Sequence, residues 1–270
     1  MKNIKLLVLS GLGLISVVVI RCIQLSFLIE PRTGFYADGM GGIGGLLSVF
    51  AALIVVFAAL MGFFSKTDGS LPANKGSAAL GCAALLAGLA HLIEPFISAA
   101  VPDSVPAVLA VLRMVMIVAA GITFCYFGLA FLLRVPPRFP LMTVLILAFV
   151  VRLMSTFVSF TGMSNISENL YDVLMLVMAL IFFLFHGKQL CGIRAKKENA
   201  LMVAVGITAV LLTAISAIPG IVVSLIGTTE VTHTPIDAPL SCLFTAVYIS
   251  VYLIEVCCLP KSGRTVQSEN

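Results

Sequence analysis

Six ionisable side chains interrupt runs that are otherwise apolar: Arg21, His91, Glu94, Arg113, Arg152 and Asp172, with Gln24 beside the first of them. A lone arginine at the centre of a membrane helix costs roughly 2.5 to 3.5 kcal/mol on insertion scales, so three of them must face inward, paired or hydrated. Glu94 and Asp172 are the natural partners. A buried carboxylate beside a guanidinium offsets part of the desolvation cost and allows a bidentate bond. Three arginines against two acids leave positive charge over. A small anionic or carboxylate-bearing solute would complete the pairing, and so would Glu30 or Glu168 dipping in from the rim. His91 and Glu94 are three residues apart, a spacing that suits an acid and base pair or two metal ligands. A lone H-x-x-E nevertheless lacks the further ligands that a zinc site needs, so neither a metal nor a cofactor is expected.

Spacing places these groups on faces. Arg21 and Gln24 lie at i and i+3, as do His91 and Glu94, while Arg152, Ser155 and Ser159 lie at i, i+3 and i+7. Each set therefore occupies one side of a helix. Thr245, Tyr248, Tyr252 and Glu255 form another polar stripe, and Thr213, Ser216 and Gly220 a third. Each feature also has a purely structural reading. Hydroxyls on apolar helices serve as interhelical glue. Asp172 and Glu168 fall in first turns after the caps Ser164 and Ser167, where the helix dipole favours acids. His186 and Glu255 fall near helix ends and are expected at the interface.

The elements that must hold these groups are dictated by composition. Of 270 residues, 60% are hydrophobic and 10% charged, with a mean hydropathy of +1.16, too little charge to clothe a water-soluble globule. A hydrocarbon core of ~30 Å needs about 20 apolar residues per span. Spans read at 4–28, 41–64, 77–101, 106–133, 140–162, 170–186, 200–226 and 239–258, separated by turn signals such as Asp68-Gly69-Ser70 and Pro136-Pro137-Arg138. They use nearly the whole length. The expected fold is an all-α integral membrane protein, a bundle of about eight transmembrane helices forming one domain over 1–270. The apolar stretch after Met1–Lys5 is too long for a signal peptide and has no small-residue cleavage site, so it reads as an uncleaved first span. Val19-Ile20-Arg21 before Cys22 is not a lipoprotein cleavage sequence.

Loop charge fixes the expected orientation. With the N-terminus inside, Lys2, Lys5, Lys66, Lys75, Arg134, Arg138, Lys188, Arg194, Lys196, Lys197, Lys261 and Arg264 are cytoplasmic and Arg32 alone is outside. That is a strong positive-inside bias, with both termini in the cytoplasm. At 1.5 Å per residue, Arg21, Arg113 and Arg152 then share a layer ~10 to 15 Å below the outer boundary. Eight spans also divide into two groups of four that start on the same side, which permits a 4+4 parallel repeat. Val19-Ile20-Arg21 matches Val150-Val151-Arg152 in depth, and Pro95 matches Pro219.

Several patterns fail on context. Gly39-Met40-Gly41-Gly42-Ile43-Gly44 fits G-x-G-x-x-G, but no strand precedes it and it opens an apolar span. Gly41, Gly42, Gly44 and Gly45 are instead expected to let the second span approach a neighbour closely. Asn165-Ile166-Ser167 is a glycosylation sequon of a kind frequent by chance. No Walker, H-E-x-x-H or G-x-S-x-G sequence occurs. The seven cysteines are scattered without C-x-x-C or Cys/His spacing and read as small hydrophobes. The net charge of +4 is spread over short loops, which argues against a nucleic-acid partner. With no tryptophan, Tyr36, Phe35, Phe139 and Tyr171 are left as interfacial anchors.

The stretch from Arg21 to Tyr36 contains an R-x-x-Q-L run followed by Glu30-Pro31-Arg32-Thr33-Gly34-Phe35. It resembles the opening of multi-pass membrane proteins of anaerobic Gram-positive bacteria, which carry an R-x-x-Q-L run before an acid-Pro-x-Thr-Gly-aromatic segment. Ile166-Ser167-Glu168-Asn169-Leu170 and Phe182-Phe183-Leu184-Phe185-His186 are similar in kind. The resemblance covers a small part of the chain. It implies a bacterial cytoplasmic membrane and carries no activity.

Three functional readings follow, all with the lipid bilayer as surroundings. The first is a secondary carrier or solute-binding permease component for a small anionic solute, with Arg21, Arg113 and Arg152 forming a basic cavity tuned by His91, Glu94 and Asp172. The second is a non-catalytic sensor or assembly protein whose ion pairs fix helix packing. The third is an intramembrane enzyme using His91 and Glu94.

Overall fold

A computed structural model of the chain describes residues 4–29, 36–65, 77–97, 105–138, 140–160, 166–191, 198–226 and 237–258. Glu30, Arg32 and the cap Ser164 lie outside the described set, as do the side chains of Ser167 and Glu168 and most of the loop lysines and arginines. Among the described residues eight α-helices run in order: α1 Ile4–Ile23, α2 Gly41–Phe64, α3 Ala78–Ile97, α4 Ala107–Leu132, α5 Pro140–Phe160, α6 Ile166–Leu190, α7 Glu198–Ile226 and α8 Asp237–Cys258. All eight are long and apolar enough to cross a membrane. Among the described residues the only β-type pairing is an isolated bridge between Ile29 and Tyr36. Among its described residues the chain is an all-helical, multi-pass membrane protein, and α6 runs four residues past the end of the expected span 170–186.

Side-chain partners show how neighbouring helices run. Gln24 meets Gly44 and Ser48 while Gly13 faces Ile54, so α1 and α2 are antiparallel. Gly81 faces Gly128 and Gly88 faces Gly121, which makes α3 and α4 antiparallel. Asp172 meets Ser216 at one end of α6 and Lys188 meets Glu198 at the other, so α6 and α7 are antiparallel as well.

Helices α3 to α8 close a ring: α3 packs on α4, α4 on α5, α5 on α6, α6 on α7, α7 on α8, and α8 back on α3. Aromatic side chains fill its interior. Phe124 from α4 stands edge-on to Phe183 of α6 at 5.7 Å and to Tyr248 of α8 at 5.5 Å, and all three are fully buried. Helices α1 and α2 lie outside the ring against α7. They present Leu12, Ile15, Phe50 and Phe57 at the surface, as lipid contact requires. The most apolar part of α7 is 72% buried, against 17% for α1, so α7 is the hub between ring and outer pair.

Two local features shape the end where α1 finishes. Gln24–Leu28 forms a π-helical turn, with Ile29 N–H donating to Gln24 O at 3.0 Å. The chain then returns beside it through Ala37 N–H to Leu28 O at 2.8 Å and enters α2 by a turn at Gly39 (φ 79°). The glycines that open α2 do not behave as expected. A Cβ added at Gly41, Gly42 or Gly45 would meet nothing within 4 Å beyond its own helix, and one at Gly44 would run into the Tyr36 ring of the preceding turn. At the other end of the bundle, α4 closes with Arg134 in left-handed conformation (φ 56°) and Val135 N–H bonded to Ala130 O at 2.9 Å, the cap geometry in which glycine is usual.

Candidate functional site

Glu94 is the centre of the charged layer. It sits on α3 just before Pro95, whose missing N–H leaves the His91 carbonyl without its helical partner. Its Oε2 accepts a bond from Arg152 Nη1 on α5 at 3.1 Å, and the same nitrogen donates to Ser241 Oγ on α8 at 3.0 Å. Its Oε1 has no hydrogen-bond partner among the described residues and faces Arg113 Nη2 on α4 at 3.8 Å, beyond hydrogen-bond distance. Glu94 and Arg152 are buried, whereas the Arg113 side chain keeps 18% of its surface exposed. Arg113 makes no hydrogen bond among the described residues, so two guanidinium groups share one carboxylate unequally.

His91 lies one turn earlier on α3. Its Nδ1 bonds the Ala87 carbonyl at 2.8 Å, which turns that nitrogen toward its own helix and away from Glu94, and its ring packs on Phe124 and Phe149. A cavity of about 10 Å³, enough for the centre of a single water molecule, is lined by His91, Ile117, Ala120, Ala148, Phe149 and Arg152. Among the described residues no three His, Cys, Asp or Glu side chains gather as metal ligands.

The remaining candidates are arranged around this centre. Asp172 on α6 accepts a hydrogen bond from Ser216 on α7 and lies within Coulombic reach of Arg152 and Cys242. Arg21 bonds Gln24 Oε1 at 3.2 Å and lies over the Tyr171 ring at 5.3 Å. Gln24 in turn donates to Gly44 O at 2.9 Å and to Ser48 Oγ at 3.0 Å, and Ser48 meets Tyr36 Oη. The π-helical turn thus aims Gln24 at α2. Tyr36 through its hydroxyl and Tyr171 through its ring face belong to this second cluster.

No protein family model matches the chain, and no curated protein or solved structure matches it.

A third polar group was not singled out as a site by the sequence. His186, expected at the interface, is 1% exposed because α6 continues to Leu190. Its Nε2 meets Tyr248 Oη at 3.3 Å, and its Nδ1 is buried without a partner among the described residues. Its ring stands edge-on to Tyr252 at 4.4 Å, and Tyr252 donates to Gln189, which donates to Asn199 at 2.8 Å. Glu255, also expected at the interface, is buried with both carboxylate oxygens unbonded among the described residues. The polar stripe on α8 was the available signal. Ser241, Thr245, Tyr248, Tyr252 and Glu255 recur at intervals of three or four residues and all are buried.

Proposed function

We propose that the chain is a secondary carrier, or the solute-binding part of a permease, for a small solute bearing one carboxylate or comparable oxyanion. It sits in a bacterial cytoplasmic membrane with both termini inside, an orientation supported by the loop charges. The observation that carries the reading is Arg113. A guanidinium offers five donors in a planar fork suited to carboxylates. This one reaches the charged layer, makes no hydrogen bond among the described residues, and stands 3.8 Å from a carboxylate already bonded to Arg152. An anionic solute fits beside it, and a water-sized cavity lies against Arg152.

The rival reading, an assembly or sensor protein with structural ion pairs, draws on the Glu94–Arg152 bond. Thermal unfolding of the detergent-purified protein separates the two. Carboxylates, phosphate, amino acids and divalent metals are added in turn, with Arg113→Gln as the comparison. A ligand-dependent rise in Tm that is lost in Arg113→Gln supports a basic solute site, because whatever binds only the folded state stabilises it. No rise in the wild type, with earlier melting of the variant, gives the ion-pair reading precedence.

A further inference from the structure

We infer that Glu94 is the coupling group of this carrier: a solute carboxylate displaces it from the two arginines, and Glu94 then takes up one proton. The inference rests on the anionic-solute reading above. Solute and proton would then cross together as a charge-neutral pair.

The place a solute carboxylate would take is already held by a carboxylate of the protein. Glu94 lies between Arg113 on α4 and Arg152 on α5, and the weaker of its two contacts is the one through Oε1, which has no hydrogen bond among the described residues. Exchange therefore begins at Oε1 and gives up little. Once a solute holds the guanidinium groups, Glu94 is left buried with its charge unpaired. Such an ion costs several kcal/mol or more, and neutralisation is the ordinary escape.

Among the described residues the groups around Glu94 offer no substitute cation. His91 is on its own helix, bonded to Ala87 O. Arg113 faces it from α4 and Arg152 from α5, and both would be taken by the solute. From α8 come Cys242 and Ser241, and from α6 comes Asp172, which acts through Arg152 and is itself negative. Arg21 is engaged with Gln24 and Tyr171. Uptake forms one O–H bond on the carboxylate, with the proton drawn from solvent water and returned there when the solute leaves. His91 and Arg152 line the cavity that admits a single water near this point.

The test is calorimetric binding of lactate, benzoate and methanesulfonate to the full-length protein in detergent. These are run in buffers of different ionisation enthalpy, between about pH 6.5 and 8.5, where none of the three probes titrates. If Glu94 couples, binding takes up one proton per anion and weakens about tenfold for each pH unit. Glu94→Gln then binds without proton uptake and with affinity independent of pH. Wild-type binding with no proton uptake and no pH slope overturns the inference and leaves the carrier reading standing. Equal uptake in Glu94→Gln overturns it too, assigning the proton elsewhere. If no anion binds at all, the carrier reading fails and the coupling role with it. Should Glu94→Gln not fold, the wild-type slope and proton count decide alone.

Discussion

Gly88 on α3 and Gly121 on α4 face each other so closely that a methyl group on either would stand 2.9 or 3.0 Å from the other's carbonyl oxygen. Seven residues away, Gly81 and Gly128 repeat the relationship. Lipid gives no hydrophobic drive to helix association, so such backbone contact is how α3 and α4 adhere. The same seam, continued past Gly88 and Gly121, carries Glu94 and Arg113. Gly88→Leu or Gly121→Leu is expected to destabilise by about 1 to 3 kcal/mol or more, since the clash is with backbone. Gly11→Leu, with nothing within 4 Å of its added Cβ, is expected to leave Tm unchanged. Thermal melts of the three variants in one detergent check this, and equal melting would mean that the seam does not hold the helices.

The unequal sharing of Glu94 predicts unequal costs. Removing the carboxylate with Glu94→Leu takes from the buried Arg152 its bond to Glu94 and leaves it the bond to Ser241 and the more distant charge of Asp172, and breaking a buried pair from one side costs about 3 to 5 kcal/mol. The double variant Glu94→Leu/Arg152→Leu is expected to recover most of that loss. Arg113→Gln, whose contact is 3.8 Å and partly exposed, is expected to shift stability by less than about 1 kcal/mol. Chemical unfolding of the wild type and these three variants measures the differences. A double variant no more stable than Glu94→Leu would show that this pair is not a unit.

The spans were legible because apolar runs of membrane length can be solvated only by lipid, and nothing in such a run is ambiguous about helix against strand. That Glu94 would meet an arginine was legible from charge alone. Which arginine was not, because the ring of α3 to α8 is closed by α8 packing back on α3, a contact between helices far apart in sequence. Arg21 is expected from the sequence at the depth of Arg113 and Arg152, yet the π-helical turn and Tyr171 engage it in a separate cluster, and no periodicity announces a π turn. The glycine signal was read at the wrong positions. A run of glycines opens α2, whereas the glycines that bring backbones together are single: Gly62 further along α2 against Ala204 of α7, and Gly81, Gly88, Gly121 and Gly128, spaced by seven on α3 and α4. His186 and Glu255 were placed at the interface by their distance from span ends, and burial followed from four further residues of α6 and the inward stripe of α8.

Tyr248 and His186 provide a test of that stripe. Tyr248 Oη and His186 Nε2 are 3.3 Å apart, both residues are nearly inaccessible, and His186 Nδ1 already lacks a partner among the described residues. Tyr248→Phe keeps the ring that packs on Phe124 and Phe183 but removes the last partner of the imidazole. Leaving a buried polar group unsatisfied costs about 1 to 3 kcal/mol, whereas replacing both members by apolar rings of similar shape is close to neutral. Tyr248→Phe is therefore expected to melt earlier than Tyr248→Phe/His186→Phe, an inversion of the usual order in which two substitutions cost more than one. If the double variant melts earlier, the imidazole contributes something the tyrosine does not, and its unbonded Nδ1 becomes the atom to pursue.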